Sequence, residues 1–453
     1  MAADTGSTDT VLPTSAAGWH KHVWSLTWPV LLANLTIPLV GVTDTWIMGR
    51  SPGPDNIAAV ALGSIMFSAF YWLFGFLRMG TTAQVAQAFG ALNRDGPQAI
   101  AAIALRAGTI ALLLGSTMVL VQQPLQSLLF VLFEPPATIF GLTNTYFDIR
   151  IWSAPALLVY LVCMGVLFGM QRMRDTLWLS IGFTFANLLL DIWFALLLNM
   201  GVAGVALGTL ISEWSAAVLG GLLVIRALMS NGWQPAKPPD LWRYDHTRAL
   251  FNLSGNLILR TFCVQLPFLV GTKLATDIDT TTLALHGVLM QLFFIMTYGL
   301  DAFAYTAESL SGYGYGARRA EWVRAATRYC SSWALLIAVV TALFYALAGE
   351  QLVAWFTQAE AVRAMAPTYL PWVAFAPLVC IWAFLLDGVF IGTTHISEMR
   401  NAMFAAVLLW ATTLWLTFDS LTYHGVWLAM ITFMLARGLL LALLYPRISR
   451  SLA

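Results

Sequence analysis

The chain has 453 residues, 59% hydrophobic and 10% charged, with 23 Lys+Arg against 22 Asp+Glu and a formal net charge of +1. Soluble domains carry about 25% charged residues, so a chain this long and this poor in charge cannot cover a water-facing surface; it belongs in lipid. The nearly balanced charge gives no reason to expect a nucleic-acid or strongly acidic partner.

Residues 1–23 form a polar tail that precedes an unbroken apolar segment, so no cleavable signal peptide is expected. From there, stretches of helical length follow one another between short polar breaks. They are predicted near 24–48, 57–80, 98–121, 147–170, 176–199 and 202–228, then 248–274, 281–310, 323–347, 369–392, 398–418 and 425–445. The stretch 124–140, with Glu134-Pro135-Pro136, reads as a break with a short interfacial piece. The fold class is therefore an all-α integral membrane protein with twelve transmembrane helices.

Basic residues give the orientation. Lys21, Arg94, Arg172, Arg174, Arg226, Lys237, Arg243, Arg318, Arg319, Arg400 and Arg447 fall on one side, against little more than Arg50, Lys273 and Arg363 on the other. The positive-inside rule then places both termini in the cytoplasm of a bacterial inner membrane. The longest polar break, 231–247, reads as a cytoplasmic linker between an N-lobe (24–230) and a C-lobe (248–446), with a short tail at 447–453. One constant offset superposes Ala61-Leu62 on Ala284-Leu285, Tyr146 on Tyr369, Gly165 on Gly388 and Gly169 on Gly392. Two pseudo-symmetric six-helix lobes around a central cleft follow, a geometry suited to rocking between two openings.

Ionisable groups inside the spans carry the chemistry, because a charge at the bilayer centre is expensive and persists where it is paired or cavity-facing. In the N-lobe, Asp44 lies late in the first span, and Asn187 and Asp191 share one face of the fifth at i, i+4 spacing; Thr209 follows one span later. Carboxylates with an amide and a hydroxyl can share a proton or ligate Na⁺; the alternative is a structural hydrogen-bond cluster. In the C-lobe, Arg260, Asp301, Glu308 and Asp387 form a second possible polar cluster, read either as a cation or substrate site or as a buried salt bridge. Pro29 and Pro38 can kink the first span. Phe70, Trp72, Phe74, Phe293, Phe294 and Met296 are candidates for an apolar cleft lining, or for lobe core. The four cysteines lie in apolar stretches without a Cys-x-x-Cys pair and read as buried small hydrophobes. No P-loop, nucleophile elbow or zinc-protease motif occurs, so an enzyme and a self-contained ATP-driven pump are excluded and no cofactor is expected beyond a coupling H⁺ or Na⁺.

At these residues the sequence resembles the MATE (multidrug and toxic compound extrusion) family, in particular its DinF-like branch. The resemblance runs from Trp24 to Arg447. It is carried by Trp28-Pro29, Val42-Thr43-Asp44-Thr45, Asn187 with Asp191, Gly204-Val205-Ala206-Leu207-Gly208-Thr209, Leu300-Asp301-Ala302-Phe303-Ala304-Tyr305 and Leu386-Asp387-Gly388-Val389-Phe390-Ile391-Gly392. It implies export of organic, often cationic or amphipathic, compounds by antiport with H⁺ in preference to Na⁺, from a monomer in contact with membrane lipids. It further implies that Asp44, Asn187, Asp191 and Thr209 bind the cation, that Pro29 bends the first helix, and that Asp387 matches a carboxylate used in another branch. A flippase for a lipid-linked precursor is the alternative; it would want a basic cleft, for which Arg78 and Arg260 are the candidates.

Overall fold

The computed structural model describes residues 13, 15–48, 54–234 and 244–452, side chains excepted at 37–42, 44–46, 54, 93–95 and 244–252. The Asp44 and Pro38 side chains, Arg50, the Arg94 side chain, and most of the expected linker and N-terminal tail therefore lie outside the described residues.

All regular structure among the described residues is helical: α1 (Ala16–Met48), α2 (Pro54–Trp72), α3 (Gly75–Gly90), α4 (Leu92–Leu120), α5 (Gln122–Phe133), α6 (Phe140–Arg150), α7 (Ala154–Gly169), α8 (Met173–Asp191), α9 (Gly201–Ser230), α10 (Tyr244–Ile278), α11 (Thr280–Gly316), α12 (Ala320–Phe356), α13 (Glu360–Gly392), α14 (Ile396–Leu421) and α15 (Tyr423–Arg450). A bilayer imposes this, since a helix satisfies its own backbone polar groups where no water can. Eleven helical segments among the described residues are long and apolar enough to cross a membrane; α2 with α3, and α6 with α7, each count as one. With α1 ahead of them, the twelve expected spans are accounted for. The break near 124–140 holds α5 and ends at Glu134, whose φ of +44° turns the chain before the two prolines.

Two differences from the sequence reading have clear causes. Helix α1 starts at Ala16, inside the expected tail, because Trp19 packs on Trp322 and Tyr329 of α12 and is itself buried. Helices α11 and α12 each extend to 37 residues, beyond the roughly 20 that span hydrocarbon. Helix α11 is started by Asp279, whose carboxylate accepts from Thr282 N and Oγ1 at 2.8 Å. Those bonds, the backbone one foremost, hold this exposed carboxyl below the usual carboxylate range. The four cysteines are buried and free.

The halves are built alike. A Cβ on Gly165 would lie 2.7 Å from Arg78 O, so this glycine lets α7 seat on α3. Gly388, its partner at the constant offset, would overlap Ala304 O, and so lets α13 seat on α11. Backbone-to-backbone approach of this kind drives helix association in lipid, where no hydrophobic force pulls apolar helices together.

The halves meet along α1, α3 and α11. Thr27 Oγ1 lies 3.0 Å from Thr306 Oγ1, Asn34 Nδ2 donates to Tyr298 O at 2.9 Å, and Ser309 Oγ donates to Phe168 O at 2.6 Å. Further along, Ala86 packs on Gly312, and Gln87 Nε2 donates to Gly392 O at 2.8 Å. These contacts occupy α11 from Tyr298 onward, toward the end that carries Arg172, Arg318, Arg319 and Arg400. Over 280–297 of α11 no hydrogen bond or ion pair reaches the other half among the described residues. Among the described residues the polar contacts between the halves thus gather toward the basic end.

Candidate functional site

The first cluster is built where α8 meets α9. Asn187 and Asp191 project from successive turns of α8 and are fully buried, as is Thr209 on α9. Asn187 Nδ2 donates to Thr209 Oγ1 at 3.2 Å, and that hydroxyl donates to Val205 O at 3.0 Å. The amide is thereby oriented with its Oδ1 left without a hydrogen-bond partner among the described residues. A buried acceptor left so costs about 1–3 kcal/mol, which a bound cation or a carboxylic acid proton would recover. Asp191 lies against the Gly208 backbone, where a Cβ would overlap Asp191 Oδ1; the glycine-rich start of α9 makes room for the carboxylate. Immediately after Asp191, residues Ile192–Leu197 form a π-helical turn, a widening often found at functional positions.

Helix α1, which carries Asp44, packs along α8 and touches the π-helical turn. Pro29 is buried, and α1 runs as one helix past it from Ala16 to Met48. Structure therefore brings together Asn187, Asp191 and Thr209, beside the helix that carries Asp44. The chemistry available is hard-oxygen coordination or proton storage.

The second group of residues is held by two sets of ion pairs. Asp387 on α13 is held by Arg260 of α10 and, at 2.5 Å, by Nη2 of Arg437 on α15. Glu308 on α11 pairs instead with Arg78 of α3, from the other half, with Nη1 and Oε2 3.5 Å apart. The Arg78 guanidinium also sits over the Tyr305 ring, 4.2 Å from its centroid. Asp301 is partly exposed and makes no hydrogen bond or ion pair among the described residues. Of the four, Arg260 and Asp387 are paired with each other, and Glu308 is paired with Arg78. Of the apolar candidates, Phe293 and Met296 are core, while Trp72 and Phe294 are exposed.

Reading carboxylates first leaves arginines unnoticed, Arg437 and Arg150 among them. Arg437 is fully buried in the middle of an apolar span, and Arg150 pairs with Glu213 at 2.7 Å while donating to Tyr146 Oη. The signal was present in both cases: an arginine within an apolar helix needs a buried anion or polar partner, just as a carboxylate needs a cation.

A family model described as MatE matches twice, over residues 29–197 and 257–415, once in each half. The chain is 36% identical over 431 residues to DNA damage-inducible protein F of Escherichia coli (strain K12), covering 94% of this chain and 92% of that one. It is 26% identical to a probable multidrug resistance protein NorM of Aromatoleum aromaticum, covering 89% and 84%. Its fold matches a structure described as the outward-facing conformation of a multidrug resistance MATE family transporter of the MOP superfamily, with a TM-score of 0.84 at 18% identity, over 95% of this chain and 96% of that one.

Proposed function

The chain belongs to the MatE family of multidrug efflux transporters, and from that premise we propose that it exports organic, often cationic or amphipathic, compounds in exchange for an entering cation, H⁺ in preference to Na⁺. The cation binds at Asp191, Asn187 and Thr209, with Asp44 supplied by α1. Both termini lie in the cytoplasm of the bacterial inner membrane, and the protein works as a monomer. In that orientation the basic end, where the halves touch, is the cytoplasmic one, and the cleft opens outward.

The observation that carries the reading is the position of α1. It packs on α8, the helix that bears Asn187 and Asp191, and it is bonded to the opposite half through Thr27 and Asn34. Pro29 lies between Thr27 and Asn34, within the stretch of α1 that is bonded to α11. A change of charge at the cluster that bends α1 at Pro29 must disturb its grip on α11, so ion binding and the meeting of the halves share one mechanical element. Exchange needs no ATP, because a proton and a cationic substrate favour opposite protonation states of the same carboxylates.

The test is export from proteoliposomes with H⁺ and Na⁺ gradients imposed separately. Efflux that follows the proton gradient and survives without Na⁺ supports the reading. Efflux that runs on Na⁺ alone overturns the ion assignment.

A further inference from the structure

Tyr298, Asp301, Tyr305 and Glu308 recur on α11 at helical spacing and form one stripe. Three of the four are engaged by the other half: the Tyr298 carbonyl accepts from Asn34, the Tyr305 ring lies under Arg78, and Glu308 pairs with Arg78. Asp301 is thus placed at the junction of the halves. Of the two carboxylates in the stripe, Glu308 is buried and paired, while Asp301 is partly exposed and makes no hydrogen bond or ion pair among the described residues. The buried Glu308 Oε1, Asp387 Oδ1 and Arg260 Nε also lack hydrogen-bond partners among the described residues.

The charged groups that face Asp301 are Arg78 from α3, Arg260 from α10, Asp387 from α13 and Arg437 from α15; Tyr298 and Tyr305 flank it on α11. Three guanidinium groups, with Asp387 and Glu308 already committed to them, leave one positive charge that an ionised Asp301 cancels. Protonating Asp301 restores that positive charge, and so does bringing an organic cation to the ionised carboxylate. In low dielectric the set tolerates one of these arrivals and opposes both together.

We infer that Asp301 is a second exchange site, at the junction of the two halves, where a proton and the positively charged group of an organic substrate compete for one carboxylate. It deepens the export reading by naming where the substrate's charge is held, apart from the oxygen cluster at Asp191. Dicyclohexylcarbodiimide couples to protonated carboxyl groups in apolar surroundings, and its adducts can be mapped by mass spectrometry on the unaltered protein. The adduct is expected on Asp301 in preference to Asp387 and Glu308, and saturating tetraphenylphosphonium is expected to suppress it about tenfold. Asp301→Asn is expected to weaken tetraphenylphosphonium binding by about tenfold and to remove the proton released on binding, while Asp301→Glu restores both. An adduct that tetraphenylphosphonium does not suppress, or wild-type affinity in Asp301→Asn, overturns the inference; if Asp301→Asn does not fold, the labelling decides. Should export prove independent of the proton gradient while tetraphenylphosphonium still shields Asp301, the coupling reading falls and this site stands.

Discussion

The two halves share one helix plan and use their buried carboxylates differently. In the first, Asp191 sits among an amide, a hydroxyl and a glycine backbone, with a neighbouring acceptor oxygen left unsatisfied. In the second, Asp387 is gripped by two arginines from two helices. A carboxylate beside neutral oxygens can take up an ion, because the added charge is partly offset and the donors are already in place. A carboxylate under two guanidinium groups has its charge cancelled and holds helices together. Duplication therefore conserved the scaffold, seen in Gly165 and Gly388, while the chemistry diverged.

The comparison breaks most visibly if the wrong half loses transport. Asp191→Asn, and likewise Asp44→Asn, is expected to abolish gradient-driven export in everted vesicles while purified protein keeps its melting temperature. Asp387→Asn is expected to do the reverse. It strands Arg260 and Arg437 without their anion and costs about 3–5 kcal/mol of stability, read as a lower melting temperature, while the protein that remains folded still couples export to the gradient. A melting temperature unchanged in Asp387→Asn would remove the structural role assigned to that residue.

Smaller effects sharpen the contrast. Gly208→Ala forces a methyl group into Asp191 Oδ1 and is expected to weaken cation coupling by roughly tenfold to a hundredfold, the range for a ligand whose support is disturbed. The pH at half-maximal export reports it. Thr209→Val keeps the shape but removes the acceptor for Asn187 Nδ2; the expected loss is about 1 kcal/mol, roughly a fivefold change in apparent ion affinity. A Thr209→Val protein with unaltered ion dependence would show that the amide is held by other means.

Much of this was legible along the chain. Asn187 and Asp191 fall on one helical face by spacing alone, and the glycines after Gly201 announce a close approach, though not that Gly208 makes room for Asp191 in particular. The partners Arg437 and Arg150 are not reached by reading carboxylates, and Arg78 enters the sequence reading only as a candidate for a basic cleft. The sequence places Arg78 and Glu308 in different halves, and nothing local brings them together.

By itself, then, the sequence determined that the chain lives in lipid, that its spans are helical, that the halves are repeats, and which side chains are costly enough there to need a partner. These follow from composition and from the 3.6-residue period, both local properties. Only the tertiary structure decided who the partners are: Arg260 and Arg437 for Asp387, Arg78 for Glu308, and none among the described residues for Asp301. A buried charge demands compensation, but the group that supplies it depends on which helices are neighbours and at what depth they cross, and that is settled by packing between distant segments.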